Sequence, residues 1–266
     1  MEMKPVKVTS GTSPVILAMP HSGLAVPPDI KIGLNERGLA LADTDWHVDR
    51  LYDGLLPEAT VVKATFHRYV IDANRDPSGK SLYPGKNTTG LCPLIDFDGR
   101  KIYRGGCEPD EAEIARRLSV FHAPYHDALR LEIDRVRKLH GVAVLYDCHS
   151  IRAEIDYLFD GVLPDFNIGT NEGVTCAPAL ESRINEICQE AKGYRAVLNG
   201  RFKGGWTTRH YGDPVKNIHS IQMELAQRTY MAESSPWTYD NQRADRVRVH
   251  LKHVLTALDE DVRTIS

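Results

Sequence analysis

The sequence predicts an α/β protein whose short strands form a mixed central sheet. Apolar runs of four to six residues, rich in Val and Ile, alternate along the chain with longer stretches of helical periodicity. The chain has 266 residues, of which 42% are hydrophobic and 26% charged, so it can bury a large core. We expect a single domain over residues 1–266, because α/β folds of this size often form one domain.

The predicted strands are the apolar runs themselves, since Val and Ile favour the backbone of a buried strand. Helical stretches separate several of them along the chain. We assign six strands, at Val15–Met19, Thr60–Ala64, Arg68–Asp72, Ala143–Asp147, Tyr194–Leu198 and Ser220–Leu225.

The predicted helices are the stretches whose apolar residues recur at helical spacing. Pro124 is expected to break the helical stretch Glu111–His140. Two long stretches, 76–106 and 199–219, are rich in Gly, Pro, Asn and Asp, and loops of this length in a compact domain are usually functional. The four helices are Trp46–Leu55, Glu111–His140, Ala177–Lys192 and Arg243–Leu258.

Composition argues against several functional classes. Lys and Arg number 33 against 36 Asp and Glu, and no basic cluster occurs, so nucleic acid is not an expected partner. The chain has neither a signal-peptide pattern nor an apolar run of the ~18 residues that a membrane span needs. The five cysteines never have the spacing C-x-x-C and favour a reducing compartment. We expect a soluble cytoplasmic protein.

Two histidines follow predicted strands almost directly. His21 comes two residues after the first strand, and His149 two residues after the fourth. Because the carboxyl ends of strands in an open α/β sheet form the ligand-binding crevice, two imidazoles delivered there can share one metal ion. A hydrogen-bonded structural role is the alternative for each. Catalytic zinc commonly takes two His and one carboxylate, and leaves a position for water.

Three carboxylates are candidates to work with these histidines. Asp43 and Asp45 lie in the loop before the first predicted helix, where either could bind the metal or cap the helix. Glu224 lies in the last predicted strand, and a carboxylate there is costly to bury unless it is paired, protonated or catalytic. Glu224 is therefore a candidate general base, with a structural salt bridge as the alternative.

Basic and amide side chains lie at both ends of the predicted strand 68–72. Arg68 begins it, while Asn74 and Arg75 follow it and open into the long loop. Guanidinium groups bind carboxylates through paired hydrogen bonds and also stabilise a developing oxyanion. These residues are expected to contribute to a substrate site rather than to an ordinary solvated surface.

Two patterns resemble other kinds of site. The stretch Asn74–Ser81 ends like a phosphate-binding loop, but it has Asn in place of the first Gly, and Pro77 interrupts it. Cys148 stands beside His149, yet neighbours along a strand point to opposite faces, so they are not expected to form a thiol–imidazole pair.

Several motifs together resemble the N-formylglutamate amidohydrolases of histidine breakdown. The likeness spans roughly residues 20–231 and so covers most of the chain. That family in turn resembles the zinc carboxypeptidase and aspartoacylase group, which implies a three-layer α/β/α fold with a mixed central sheet and one catalytic zinc ion. The motifs are MPHSG, DTDWHVDRLYD, RYVIDANRDP, LYPG, DCHSIR, IGT, NGRFKGGWTTRHYG and QMELAQ.

The resemblance implies three metal ligands. His21 and His149 match the two ligand histidines of the larger group. That group has a glutamate ligand three residues after its first histidine, but Leu24 occupies this position here. An aspartate at the head of the following helix is implied instead, and we expect Asp43, with Asp45 as the alternative.

The resemblance also implies roles in binding and catalysis. Asn74 and Arg75 match the pair that holds the substrate's α-carboxylate, and Arg68 matches the arginine that polarises the scissile carbonyl. Glu224 matches the glutamate that takes a proton from the attacking water.

The implied reaction is the zinc-dependent hydrolysis of N-formyl-L-glutamate to formate and L-glutamate in histidine degradation. This substrate has a second carboxylate, for which we expect Arg209 as the cationic contact, ahead of Arg104 and Arg201. Another divalent ion is an alternative to zinc. A related zinc amidase or carboxypeptidase acting on another N-acyl amino acid is the first competing hypothesis. A metal-free protein that binds an acidic small molecule is the second.

Overall fold

The computed structural model describes residues 3–81, 85 and 87–265, and their strands form one mixed sheet. The strands are β1 (Val6–Thr9), β2 (Val15–Met19), β3 (Thr60–Ala64), β4 (Ala143–Ile151), β5 (Phe166–Gly169), β6 (Ala196–Leu198) and β7 (Ile218–Ala226). Their order across the sheet is β1-β3-β2-β4-β7-β5-β6. Strands β3, β2, β4 and β7 are parallel neighbours, whereas β1 and β5 run antiparallel to β3 and β7. The carboxyl ends of β2, β4 and β7 therefore meet at one edge of the sheet.

Helices cover both faces of this sheet, which confirms the predicted α/β/α class. They are α1 (Pro28–Lys31), α2 (Glu36–Leu39), α3 (Val48–Tyr52), α4 (Glu111–Arg117), α5 (Ala123–His140), α6 (Pro178–Gln189), α7 (Trp206–Tyr211) and α8 (Asn241–Ile265). Each face of the sheet packs against its own hydrophobic core, and alternate residues of β4 point into one core or the other. Val144 and Tyr146 pack with α3, α6 and α8, while Ala143 and Leu145 pack with α5.

The predicted helix Glu111–His140 is present, but Pro124 does not break it. Between α4 and α5 lies one π-helical turn, Leu118–His122, in which the N–H of Ala123 donates to the carbonyl of Leu118. Pro124 then falls in the first turn of α5. A proline is tolerated there because the wider turn before it accommodates the missing N–H.

The structure corrects the predicted strand Arg68–Asp72, which consists of turns and irregular backbone. Its polar backbone groups bond to loops and to a helix side chain and not to a neighbouring strand; for example, the N–H of Asp72 donates to the carbonyl of Leu91 at 2.7 Å. An apolar run alone cannot distinguish a buried turn from a buried strand.

Other boundaries differ in length. Helix α3 is shorter than the predicted 46–55, α6 is shorter than 177–192, and α8 is longer than 243–258. Strands β1 and β5 were not predicted, and α7 lies inside the predicted loop 199–219. Of the LYPG motif at 82–85, residues 82–84 lie outside the described residues. Within the part of the chain that is described, no helix has the length and apolar character needed to cross a membrane.

Candidate metal centre and active-site cleft

Two histidines and one aspartate converge at the carboxyl ends of β2 and β4. The Nδ1 atoms of His21 and His149 are 3.2 Å apart. Asp45 Oδ2 lies 3.0 Å from His149 Nδ1 and 3.7 Å from His21 Nδ1. All three side chains are buried, and one ligand atom from each lies within 4.8 Å of the others. This spacing could hold a metal ion.

The far nitrogen of each ring faces a fully buried carboxylate. His21 Nε2 lies 2.6 Å from Asp72 Oδ1, and His149 Nε2 lies 3.1 Å from Asp147 Oδ1. At His21, Asp72 accepts the Nε2 proton, which leaves Nδ1 with a lone pair directed at the shared centre. At His149, the hydrogen-bond partner of Nε2 is the amide of Asn74. Asp72 and Asp147 were not predicted from the sequence. The spacing of Asp147 from His149 was a usable signal, since residues i and i+2 of a strand share a face.

The buried charges around this centre favour a cation. Burial acts to raise the pKa of Asp45, but the charge of His21 and the hydrogen bond to His149 outweigh it and hold the pKa well below its usual range. Burial acts to lower the pKa of His149, but the carboxylate of Asp147 raises it well above the usual value. Two imidazole nitrogens and a carboxylate are a donor set that zinc takes in catalytic sites. The residues therefore fit a divalent cation such as zinc.

Asp43, the expected middle ligand, is not part of this group, whereas Asp45, the alternative, is. Asp43 Oδ2 accepts hydrogen bonds from the hydroxyl of Tyr69 and the N–H of Phe97, both at 2.8 Å. Its burial raises its pKa to about 7. The backbone N–H of Asp45 donates to the carbonyl of His21, which holds Asp45 beside the two histidines.

Glu224 lies opposite His149 in the register of the parallel pair β4 and β7. Its carboxylate lines the same cleft and accepts a hydrogen bond from Gln222 Nε2 at 3.0 Å. Burial raises the pKa of Glu224 to about 8, and the charges of His149 and Arg68 oppose this only in part. A carboxyl with such a pKa can exchange a proton near neutral pH.

Arg68 lies at the edge of the cluster formed by His21, Asp45 and His149. Its Nη2 contacts His21 Nδ1 and lies 3.7 Å from Asp72 Oδ2. The guanidinium carbon is 4.9 Å from the centre of the Phe97 ring, and the side chain is almost fully buried. This position allows Arg68 to donate a hydrogen bond to an oxygen atom of a molecule bound beside the histidines.

Asn74 and Arg75 also line the cleft. The Asn74 amide lies 3.0 Å from His149 Nε2 and accepts a hydrogen bond from the N–H of Thr207. A Cβ atom at Gly205 would overlap the Asn74 amide, so this close approach requires glycine. Arg75 donates to the hydroxyl and carbonyl oxygens of Thr89, which fixes its guanidinium in the wall.

A third arginine lines the cleft beside Arg68 and Arg75, but it is Arg201 and not the expected Arg209. Arg201 donates to the carbonyl of Leu158, and both residues belong to the wall of a cleft of about 640 Å³, open mouth included. Arg209 lies outside this wall, where its Nε donates to the carbonyl of Gly204. Arg104 donates to the carbonyl of Leu34, also outside the cleft.

Cys148 does not join the site. Its side chain belongs to the core on the other face of the sheet, where burial raises the thiol pKa well above its usual range. Gln222 was not predicted as a site residue, although the alternation of β7 places it on the same face as Glu224.

Comparison with known proteins extends these observations to the whole chain. The model of the N-formylglutamate amidohydrolase family matches residues 13–231. The chain is 49% identical over 249 residues to a protein of Pseudomonas putida named N-formylglutamate deformylase. It is 46% identical over 250 residues to a protein of the same name from Pseudomonas aeruginosa. Each match covers 93% of both chains.

Two solved structures share the fold. A crystal structure of N-formylglutamate amidohydrolase from Ralstonia eutropha matches with a TM-score of 0.81 and 26% identity, over 98% of this chain and 99% of that one. A gene product from Agrobacterium tumefaciens matches with a TM-score of 0.72 and 20% identity, over 97% of each chain. The second likeness supports the fold alone.

Proposed function

The chain belongs to the N-formylglutamate amidohydrolase family, and from this premise we propose that it hydrolyses N-formyl-L-glutamate to formate and L-glutamate. The convergence of His21, Asp45 and His149 beside Glu224 carries the proposal on the structural side. Hydrolysis of an unactivated amide needs an activated water and a proton donor for the leaving nitrogen, and this group of residues has the chemistry for both.

We propose that His21, Asp45 and His149 hold a zinc ion, with another divalent cation as the alternative. When bound, zinc lowers the pKa of a water molecule and polarises a carbonyl oxygen. Asp72 keeps the His21 ring oriented through its Nε2 atom, and the Asn74 amide does the same at His149 Nε2.

Glu224 is the proposed general base, and Arg68 the proposed oxyanion contact. Glu224 takes a proton from the attacking water and delivers it to the amide nitrogen as the bond between carbon and nitrogen breaks. The position of Glu224 opposite His149, in the wall of the same cleft, supports this role. Arg68 donates to the formyl oxygen as negative charge develops there, a role that its position beside His21 supports.

The substrate has two carboxylates, and we propose a separate arginine for each. Arg75, with Asn74, binds the α-carboxylate, and Arg201 binds the side-chain carboxylate. The presence of these three side chains in the wall of one cleft supports the assignment. Paired hydrogen bonds from a guanidinium group suit a carboxylate.

As part of the same proposal, the reaction belongs to histidine degradation and takes place in the cytoplasm. The place in histidine degradation follows from the family resemblance of the sequence. The cytoplasmic location is supported by the cysteines at 92, 107, 148, 176 and 188, which are all free thiols, as a reducing compartment favours.

Formate release by the purified protein tests the proposal. N-Formyl-L-glutamate would be compared with N-acetyl-L-glutamate and N-formyl-L-methionine, before and after treatment with a chelator and after zinc is restored. We expect release from formylglutamate that the chelator abolishes and zinc restores.

The other outcomes identify the competing hypotheses. Activity on a different N-acyl amino acid would make the protein a related metal amidase. Activity that survives complete removal of metal would contradict the zinc proposal. No activity on any of the three substrates, together with no bound metal after growth in zinc, would indicate a binding protein.

A further inference from the structure

The segment 68–75 carries several of the site residues, although it is neither helix nor strand. Arg68 and Asp72 contact His21, Asn74 contacts His149, and Arg75 lines the cleft. Irregular backbone has no neighbouring strand to fix it, so other groups must satisfy its carbonyl oxygens. The source of those hydrogen bonds therefore decides where the site residues lie.

Three side chains from one continuous helix supply many of these bonds. Arg117 Nη1 donates to the carbonyl of Val70 at 2.9 Å. His126 Nε2 bonds to the carbonyl of Ala73 at 2.7 Å. His122 Nε2 bonds to the carbonyl of Arg75 at 3.1 Å. All three donor side chains are buried.

The π-helical turn explains how these side chains share one face. Arg117 ends α4, His122 ends the π turn, and His126 lies in the first turn of α5. In a regular α-helix the nine positions from Arg117 to His126 make about 2.5 turns, which would place them on opposite sides. The π turn takes up one extra residue, so the separation becomes about 2.2 turns and both face the segment.

The same histidines also support the other side of Asn74. The Trp206 ring lies edge-on to His126, with centroids 4.7 Å apart, and 5.6 Å from His122. The next residue, Thr207, donates its N–H to Asn74 Oδ1 at 2.8 Å. His122 and His126 thus contact both the 68–75 segment, which carries Asn74, and helix α7, whose Thr207 binds the Asn74 side chain.

We propose that Arg117, His122 and His126 are positioning residues for the reaction. They hold the carbonyls of the 68–75 segment and thereby place its side chains against the metal ligands and the substrate. The inference rests on the proposed function for its kinetic consequence, but its structural consequence can be measured independently.

His126 gives the sharpest test, because glutamine keeps a donor of comparable reach and leucine does not. The His126→Leu variant should lose about 10- to 100-fold in kcat/KM, with a raised KM, since a small displacement of the segment moves both Asp72 and Arg75. His126→Gln should recover most of this loss. A purely global loss of folded protein would lower the apparent kcat and leave KM unchanged.

Arg117→Met and Arg116→Met form a second, matched pair. Both arginines bind Glu113, but only Arg117 also donates to the carbonyl of Val70. We expect Arg117→Met to lose kcat/KM and Arg116→Met to behave like the parent protein.

Hydrogen exchange and zinc affinity provide readouts apart from activity. Amide exchange in peptides covering 68–75 of the zinc-loaded protein should accelerate in His126→Leu and Arg117→Met, and remain at the parent rate in His126→Gln and Arg116→Met. Zinc affinity, measured by competition with a chromophoric chelator, should fall in the first two variants. These readouts apply even if the parent protein releases no formate, in which case the proposed function fails and the positioning role is still decided.

Two results would overturn the inference. One is His126→Leu and Arg117→Met variants with parent exchange rates, zinc affinity and KM. The other is a folded His126→Gln variant as impaired as His126→Leu, since the hydrogen bond to Ala73 would then be irrelevant.

Discussion

His149 of β4 and Glu224 of β7 are register partners in the parallel centre of the sheet. Paired residues of neighbouring strands project from the same face, so backbone hydrogen bonding alone brings a candidate metal ligand beside a candidate general base. A register shift of one residue in either strand would move its side chain to the opposite face. The relationship therefore belongs to the rigid scaffold, and the loops contribute the remaining residues.

Replacing Glu224 by glutamine separates metal binding from proton transfer. Gln keeps the size of the side chain but cannot take a proton, so we expect Glu224→Gln to retain zinc and to lose about 10²- to 10⁴-fold in kcat. His149→Ala should lose both zinc and activity. Zinc content by mass spectrometry and formate release are the two measurements. Nearly parental turnover by Glu224→Gln would show that another group is the base.

The two aspartates before α3 are distinguished by their amide variants. Asp45→Asn removes the charge of the proposed ligand, so its zinc affinity should fall by at least about 10-fold. Asp43→Asn is the matched control, because its amide oxygen can still accept from Tyr69 and Phe97. Chelator competition measures both affinities. A larger loss of zinc in Asp43→Asn would restore Asp43 as the ligand.

Arg201 is expected to recognise the side-chain carboxylate. Removing a hydrogen bond to a charged group costs about 1.5–3 kcal/mol, so Arg201→Met should lose about 10- to 100-fold in kcat/KM for N-formyl-L-glutamate. The loss should be much smaller for N-formyl-L-methionine, if that substrate is turned over at all. Arg209→Met, outside the cleft wall, should be closer to the parent. The reverse ranking of these variants would reassign the contact to Arg209.

The protein should lose stability below pH 6.5, partly through His126. Burial lowers the pKa of His126 to about 3, from its ordinary 6.5, with a contribution from the charge of His122. Because the pKa of His126 is lower in the folded state, only the unfolded state binds this proton as the pH falls from 6.5 towards 3. The contribution of His126 to the free energy of unfolding is therefore complete above pH 6.5 and is lost as the pH falls towards 3. Between pH 7 and pH 5, the loss in unfolding free energy should be about 2 kcal/mol smaller in His126→Gln.

Urea unfolding at the two pH values, with saturating zinc, gives these free energies. The other titrating groups are the same in both proteins, so the difference isolates residue 126. Parallel pH profiles for the parent and His126→Gln would mean that His126 is not held neutral in the fold.

The sequence by itself determined the fold class and the strands that carry the central side chains. Strand β2 and the first half of β4 are apolar runs, β7 alternates apolar and polar residues, and such hydrophobic patterns are local properties that the sequence displays directly. Since parallel strands end at a common edge, the proximity of His21, His149 and Glu224 could be anticipated from that pattern. Their roles in catalysis stay predictions.

Only the tertiary structure decided which loop residues reach the cleft. Asp43 and Asp45 lie in the same predicted loop, and no local pattern indicates which of them faces the histidines. Their positions differ because Tyr69 and Phe97, distant along the chain, bind the carboxylate of Asp43. The alignment of Arg117 with His126 likewise depends on a π turn that no local pattern indicated. The direction of a side chain in irregular backbone is set by contacts between segments far apart in the chain, and such contacts exist only once the chain has folded.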